Sequence, residues 1–168
     1  SYDFHGLETL QCMVERRENG EAGVAWVQAY RGEQVWQAFA DGVWSRDLFE
    51  AALTRSHTLE PARRGFNHVF PTIDDMVGMV EDPVAYHYVH EDGLKSTMFL
   101  MRGLVQDFNF AARMGDGSKL STQMYLPMPP ARTTLASFFT PLTNHIETLF
   151  LTGQSPYPIE RTLLTTGL

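Results

Sequence analysis

An imidazole that could transfer protons stands near the start of the chain, where His5 follows Asp3 by two residues. A helix N-terminus disfavours the imidazolium and lowers its pKa, whereas a neighbouring carboxylate raises it. Together these influences suit a general acid/base that works near neutral pH. A capping or surface histidine is the alternative interpretation. A helix over residues 4–17 is predicted by the helical spacing of four apolar residues, which are Leu7, Leu10, Met13 and Val14.

A second group of polar side chains lies in residues 56–81, which show no clear hydrophobic period. Loops that carry function often gather such groups. Arg64, Asn67 and His68 are therefore candidate substrate-binding residues, with a solvated polar loop as the alternative. Residues 72–80 at the end of this segment are predicted to form a short helix capped by Thr72.

Other kinds of site are not indicated by the sequence. The six histidines form no His-Glu-x-x-His pattern, and a Cys-x-x-Cys pair is absent, so we expect no metal site. His87 and His90 are three residues apart on a predicted strand, so they point to opposite faces. No glycine-rich phosphate loop joins a strand to a helix, so we expect this chain itself to bind no nucleotide cofactor.

The amino-acid composition limits the kinds of partner and the cellular compartment that we expect. With 20 acidic against 13 basic residues the formal charge is −7, and without a long basic cluster we expect no nucleic-acid partner. No apolar run approaches the roughly 20 residues of a membrane span, so no membrane partner is expected. The single cysteine, Cys12, cannot form an internal disulfide and suits a reducing compartment, which favours a cytoplasmic location.

Four consecutive strands are predicted over residues 84–91, 95–102, 105–113 and 119–126, separated by glycine-containing turns. Side chains alternate between the faces of a strand, so one face should be packed and the other open. The packed face would collect Met98, Leu100, Phe108, Phe110, Leu120 and Met124. The open face would collect Lys95, Thr97, Asp107, Asn109, Arg113, Lys119, Ser121 and Gln123.

The fold class expected is therefore α+β, with an open, mostly antiparallel sheet and helices packed on one face. A further strand is predicted over residues 23–30, and helices over 33–40, 45–54, 132–152 and 159–168. Ser45 suits the start of the second of these helices, and Gly153 should end the third. Pro141 should kink or divide the third of these helices, and Leu163 and Leu164 should face inward in the last. At 168 residues a single domain, 1–168, is expected.

Three stretches together resemble one protein family. Residues 2–10 open a helix with Tyr-Asp-Phe-His-Gly-Leu-Glu-Thr-Leu, residues 86–101 form an alternating hairpin, and residues 146–160 place Thr-Gly-Gln-Ser-Pro between two helices. Their order and spacing resemble the C-terminal domain of the glucose–fructose oxidoreductase and inositol 2-dehydrogenase (Gfo/Idh/MocA) family. That domain has an α+β, dihydrodipicolinate-reductase-like fold.

The resemblance implies an NAD(P)-dependent oxidoreductase that moves a hydride to or from a sugar or polyol. NAD or NADP would bind an N-terminal Rossmann domain outside this chain, so the isolated chain would be inactive. The family's acid/base histidine falls on His5. Many members carry an aspartate four residues earlier, where this sequence has Ser1, and Asp3 is the nearest carboxylate.

Two explanations of Ser1 remain open: a subgroup with altered chemistry, or a member that has lost activity. The chain would then be a substrate and oligomerisation domain cut from a longer polypeptide, and we expect a homodimer through the open face of the sheet. A non-catalytic binding or dimerisation module of the same fold is the main alternative. A stand-alone small-molecule-binding domain, unrelated to dehydrogenases, is the third.

Overall fold

The computed structural model describes residues 2–62, 70–125 and 139–168, and its fold class is α+β as predicted. It divides into two compact units, one from Ser1 to Met124 with Leu168 and one from Tyr125 to Gly167. The single-domain prediction is not decided by this division. The helices are α1 (Tyr2–Val14), α2 (Glu33–Ala40), α3 (Arg46–Leu53), α4 (Ile73–Met79), α5 (Thr140–Thr152) and α6 (Ile159–Gly167). The strands are β1 (Val24–Arg31), β2 (Val84–His90), β3 (Lys95–Leu100), β4 (Phe108–Arg113) and β5 (Lys119–Met124).

The first unit is built around a three-stranded antiparallel sheet in the order β1-β2-β3. A tight turn joins β2 to β3, and Gly93 has a φ of 86°, a left-handed conformation that glycine adopts without steric cost. The register places Ala85 opposite Phe99 and Tyr86 opposite Met98. The predicted hairpin at Asp92-Gly93 is confirmed.

The prediction of one continuous four-stranded sheet is wrong, because β4 and β5 form a separate two-stranded sheet. A turn follows β3, in which the Leu104 N–H donates to the Met101 carbonyl at 3.1 Å, but it leads into no β3–β4 ladder. Leu104 instead enters the core with no exposed surface, and its carbonyl accepts a hydrogen bond from the Glu60 N–H at 2.9 Å. The Gln106 N–H donates to the hydroxyl of Thr58 at 2.8 Å. Burial of Leu104 and these hydrogen bonds to residues 58 and 60 take the place of the hydrogen-bonded pairing that was expected between β3 and β4.

The prediction of helices on one face of an open sheet is also wrong for the three-stranded sheet. On one face, Leu7 of α1 packs against Tyr88 and Met98. On the other face, Ala85 and Phe99 pack in the cluster that includes Phe49 of α3. Neighbouring residues of the central strand thus lie in different cores, and both Ala85 and Tyr88 have no exposed surface.

The two-stranded sheet is attached to α3 through charged side chains. Asp47 accepts hydrogen bonds from Arg113 at 2.7 Å and from Lys119 at 2.8 Å. Phe110 is buried as predicted, whereas Leu120 is 42% exposed, so its predicted place on a packed face is wrong. Its strand, β5, is at the edge of a sheet of only two strands, which has too few neighbours to bury it.

Several helix ends follow directly from local chemistry. Ser45 caps α3 by accepting from the Leu48 N–H, and Thr72 forms a capping box with Asp75 at the start of α4. Gly153 ends α5 in the left-handed conformation with a φ of 68°. These predicted signals are confirmed.

In the second unit, α5 begins at Thr140 with Pro141 in its first turn, where a missing N–H costs nothing. Residues 132–138 of the predicted helix lie outside the described residues. Leu163 is 72% exposed, so its predicted inward orientation is wrong, whereas Leu164 is half-buried. In the three described ranges, every helix is too short or too polar to cross a lipid bilayer.

Candidate functional site

The two candidate catalytic residues lie in the first turn of α1. The side chain of His5 is exposed, and its ring meets that of Phe4 edge-on with centroids 5.9 Å apart. Asp3 accepts a hydrogen bond from the Tyr86 hydroxyl at 3.2 Å. No ion pair links these two described residues. The imidazole can therefore reach solvent or a ligand, while the carboxylate faces the sheet.

Packing fixes this turn on the sheet. Leu7 is 5% exposed and contacts Tyr88 and Met98. A Cβ atom at Gly6 would lie 2.8 Å from the sulfur of Met98, so glycine permits the helix to approach β3 this closely. A rigid support of this kind is what a proton-transferring side chain needs.

Tyr86 is a residue that the sequence analysis missed. Burial raises the pKa of its hydroxyl, and the charge and hydrogen bond of Asp3 raise it further. The hydroxyl is consequently a neutral hydrogen-bond donor at physiological pH, and it holds Asp3 in place. No sequence pattern joins two residues that are 83 positions apart.

The C-terminal end of α1 is fastened by a second group, centred on the carboxylate of Glu21. It accepts hydrogen bonds from the Gln11 amide at 2.8 Å and from the Gly23 N–H at 2.8 Å. It also meets His90 Nδ1 at 3.1 Å and Arg17 at 3.5 Å. Burial raises the pKa of Glu21, but these hydrogen bonds lower it more, to about 2.

His90 continues this chain of contacts, with its Nε2 3.1 Å from the hydroxyl of Ser96. A hydroxyl, an imidazole and a carboxylate in this order have the connectivity of an activated nucleophile. However, Ser96 is 5% exposed and His90 only 1%. A buried hydroxyl cannot meet a substrate, so we interpret the chain as a structural connection between the β2–β3 hairpin and α1.

His87 lies on the opposite face of β2 from His90, as predicted. Its Nδ1 is 2.8 Å from the Thr97 hydroxyl, and its ring meets Trp26 edge-on at 5.8 Å. Burial lowers the pKa of His87, and the charge of Lys95 lowers it further. The imidazole is therefore neutral at physiological pH.

The other predicted site residues, Arg64, Asn67 and His68, lie outside the described residues. Among residues 2–62, 70–125 and 139–168, no group of three or more His, Cys, Asp or Glu side chains could hold a metal ion. Gly32 alone joins β1 to α2, and Glu33 places a carboxylate in the first turn of α2. That carboxylate disfavours a nucleotide phosphate at this helix N-terminus.

Comparison with known proteins yielded no match to a family model, to a curated protein or to a solved structure.

We expect Glu21→Gln to destabilise the first unit by about 1–2 kcal/mol near neutral pH. The variant lacks the carboxylate charge that the surrounding hydrogen bonds stabilise in the folded state. The folded-state pKa of about 2 is below the ordinary 4.5, so this stabilisation is present above pH 4.5 and is lost as the pH falls towards about 2. Urea unfolding across this range measures the difference between the wild type and the variant.

Glu18→Gln is the matched control, since Glu18 is exposed and lies in the same segment. It should unfold like the wild type at each pH. A Glu21→Gln difference that stays constant down to about pH 2 would contradict the explanation.

Proposed function

We propose that this chain is the substrate-facing domain of an NAD(P)-dependent oxidoreductase that transfers a hydride to or from a sugar or polyol. The proposal rests on the resemblance to the C-terminal domain of the glucose–fructose oxidoreductase and inositol 2-dehydrogenase family. It includes a nucleotide-binding domain elsewhere in the same protein and a cytoplasmic location. The family membership, the dihydrodipicolinate-reductase-like fold and the homodimer are parts of the proposal.

The observation that best supports this function is the exposed imidazole of His5 in the first turn of a helix held firmly on a sheet. In the proposed reaction His5 takes the proton of the substrate hydroxyl while the hydride leaves the same carbon for the nicotinamide. Asp3 is turned towards Tyr86 and fixes the start of the helix. Its role is therefore to position the turn, and His5 alone would contact the substrate.

The whole protein provides the decisive experiment. The full-length protein should be purified and its consumption of NADH and NADPH followed against a panel of keto sugars and keto polyols. Turnover with at least one substrate is the expected result, and the 168-residue chain alone should give none, because the proposal places the nucleotide elsewhere in the protein. A full-length protein with no nucleotide-binding domain would contradict the proposal outright.

The alternative is a non-catalytic binding or dimerisation module. It is favoured by the apolar side of α5, where Leu142, Ile146 and Leu149 are each 45–50% exposed. Monomers rarely leave a contiguous apolar surface in water unless it meets a partner. Binding of the panel compounds without any turnover by the full-length protein would favour this alternative.

A further inference from the structure

We propose that the face of the three-stranded sheet around Trp26 is a binding site for a carbohydrate ring, formed by Trp26, Gln28 and the His87–Thr97 pair. The geometry of this face indicates the position of the site. The choice of a carbohydrate as its ligand rests on the proposed function. The site differs from the His5 turn, which belongs to the opposite face of the sheet.

Trp26 supplies an exposed aromatic surface. Its side chain is 45% exposed although it lies on a strand of the sheet. The register pairs Trp26 with Val89 and Gln28 with His87, so these side chains share one face. A register shift between Val24 and Trp26 directly precedes the indole. An aromatic ring with one exposed side and a polar neighbour on the same face offers a ligand both an apolar plane and hydrogen-bonding groups.

The neighbouring imidazole holds this indole in a defined orientation. His87 meets the Trp26 ring edge-on, with an interplanar angle of 78°. His87 is itself held by the Thr97 hydroxyl at 2.8 Å and is 6% exposed. Trp44 also lies against His87, with ring centroids 6.2 Å apart. An indole supported in this way loses little conformational entropy when a ligand binds to its exposed side.

Polar side chains share this face of the sheet with the indole. Gln28 is exposed two residues along β1, and Lys95 is exposed at the start of β3. The charge of Lys95 reaches His87 and helps to keep that imidazole neutral. The amide of Gln28 offers both a donor and acceptor sites to a ligand. The surface thus presents an apolar plane bordered by hydrogen-bonding groups.

A pyranose or cyclic polyol has the complementary chemistry. One side of such a ring carries axial C–H groups, which match the electron-rich face of an indole. Its equatorial hydroxyl groups project outward, where an amide such as that of Gln28 can donate to them or accept from them. An open-chain polyol offers no comparable flat C–H surface, so the site should discriminate in favour of rings.

The test uses the 168-residue chain and titrates it with glucose, with myo-inositol and with glycerol as a non-cyclic polyol, followed by ¹H–¹⁵N NMR. We expect a ring sugar to shift the Trp26 indole N–H signal, with glycerol much weaker. Trp26→Ala should lower the affinity at least tenfold, and Gln28→Ala about threefold. Trp26→Phe, which keeps an aromatic ring, should retain part of the binding.

Val27→Ala is the matched control, because Val27 is 39% exposed on the other face of the same strand. It should bind like the wild type. The proposal is overturned if the ring sugars do not bind the wild type, if glycerol binds equally well, or if Trp26→Ala binds the ring sugars as tightly as the wild type. Binding by the chain with no turnover in the full-length protein would leave this site standing and remove the proposed reaction.

Discussion

His5→Gln in the full-length protein should lower kcat by about 10²–10⁴-fold, the usual contribution of a general acid/base. The amide cannot take the hydroxyl proton at the moment when the hydride leaves. Because His5 is exposed and lies outside the packed side of α1, the variant should fold normally. Steady-state kinetics over a range of pH provide the measurement.

His57→Gln is the histidine control. Its side chain is exposed in the loop after α3, and the contact of this residue with Asp107 is made by its backbone N–H at 2.9 Å. This variant should keep the kcat and the pH profile of the wild type. If His5→Gln loses less than threefold in kcat with an unchanged profile, His5 is not the acid/base.

Gly103→Ala should cost about 3 kcal/mol or more in the free energy of unfolding. Gly103 has a φ of 89°, which an alanine adopts only with strain of about 1–2 kcal/mol. Its Cβ would also lie 2.5 Å from the carbonyl oxygen of Met79, and backbone cannot move aside as a flexible side chain can. Urea unfolding of the 168-residue chain, followed by circular dichroism, measures the loss.

Gly93→Ala separates the strain of a positive φ from the effect of the close approach to Met79. Gly93 has a similar φ of 86°, but no atom lies within 4 Å of the position that a Cβ would take. This control should lose only the conformational part, about 1–2 kcal/mol. Equal losses in the two variants would show that the close approach to Met79 contributes nothing.

The elements that the sequence predicted well are those decided by neighbouring residues. The helix over residues 33–40 and the caps at Ser45 and Thr72 depend on contacts within a few positions. The turn at Gly93 is equally local. The separation of β4 from β3 is different, because it depends on burial of Leu104 and on hydrogen bonds that link Leu104 to Glu60 and Gln106 to Thr58, 48 positions away.

The same distinction applies to the candidate site. The place of His5 in the first turn of a helix follows from the spacing of apolar residues just after it. The Tyr86 hydroxyl that meets Asp3, and the His90 ring that meets Glu21, come from residues 83 and 69 positions away. A pattern within one segment carries no information about such partners, which only the folded sheet brings together.

The position of β1 has a consequence for handling the protein. Within the described residues β1 is the outer strand of its sheet, so one row of its amide and carbonyl groups has no ladder partner there. Its eight residues include a single charge, Arg31, and no proline. A border strand of this composition is a template for joining two molecules into a shared ladder. Concentrated samples should therefore precipitate unless a partner covers the free edge of β1, and storage in dilute form should keep them in solution.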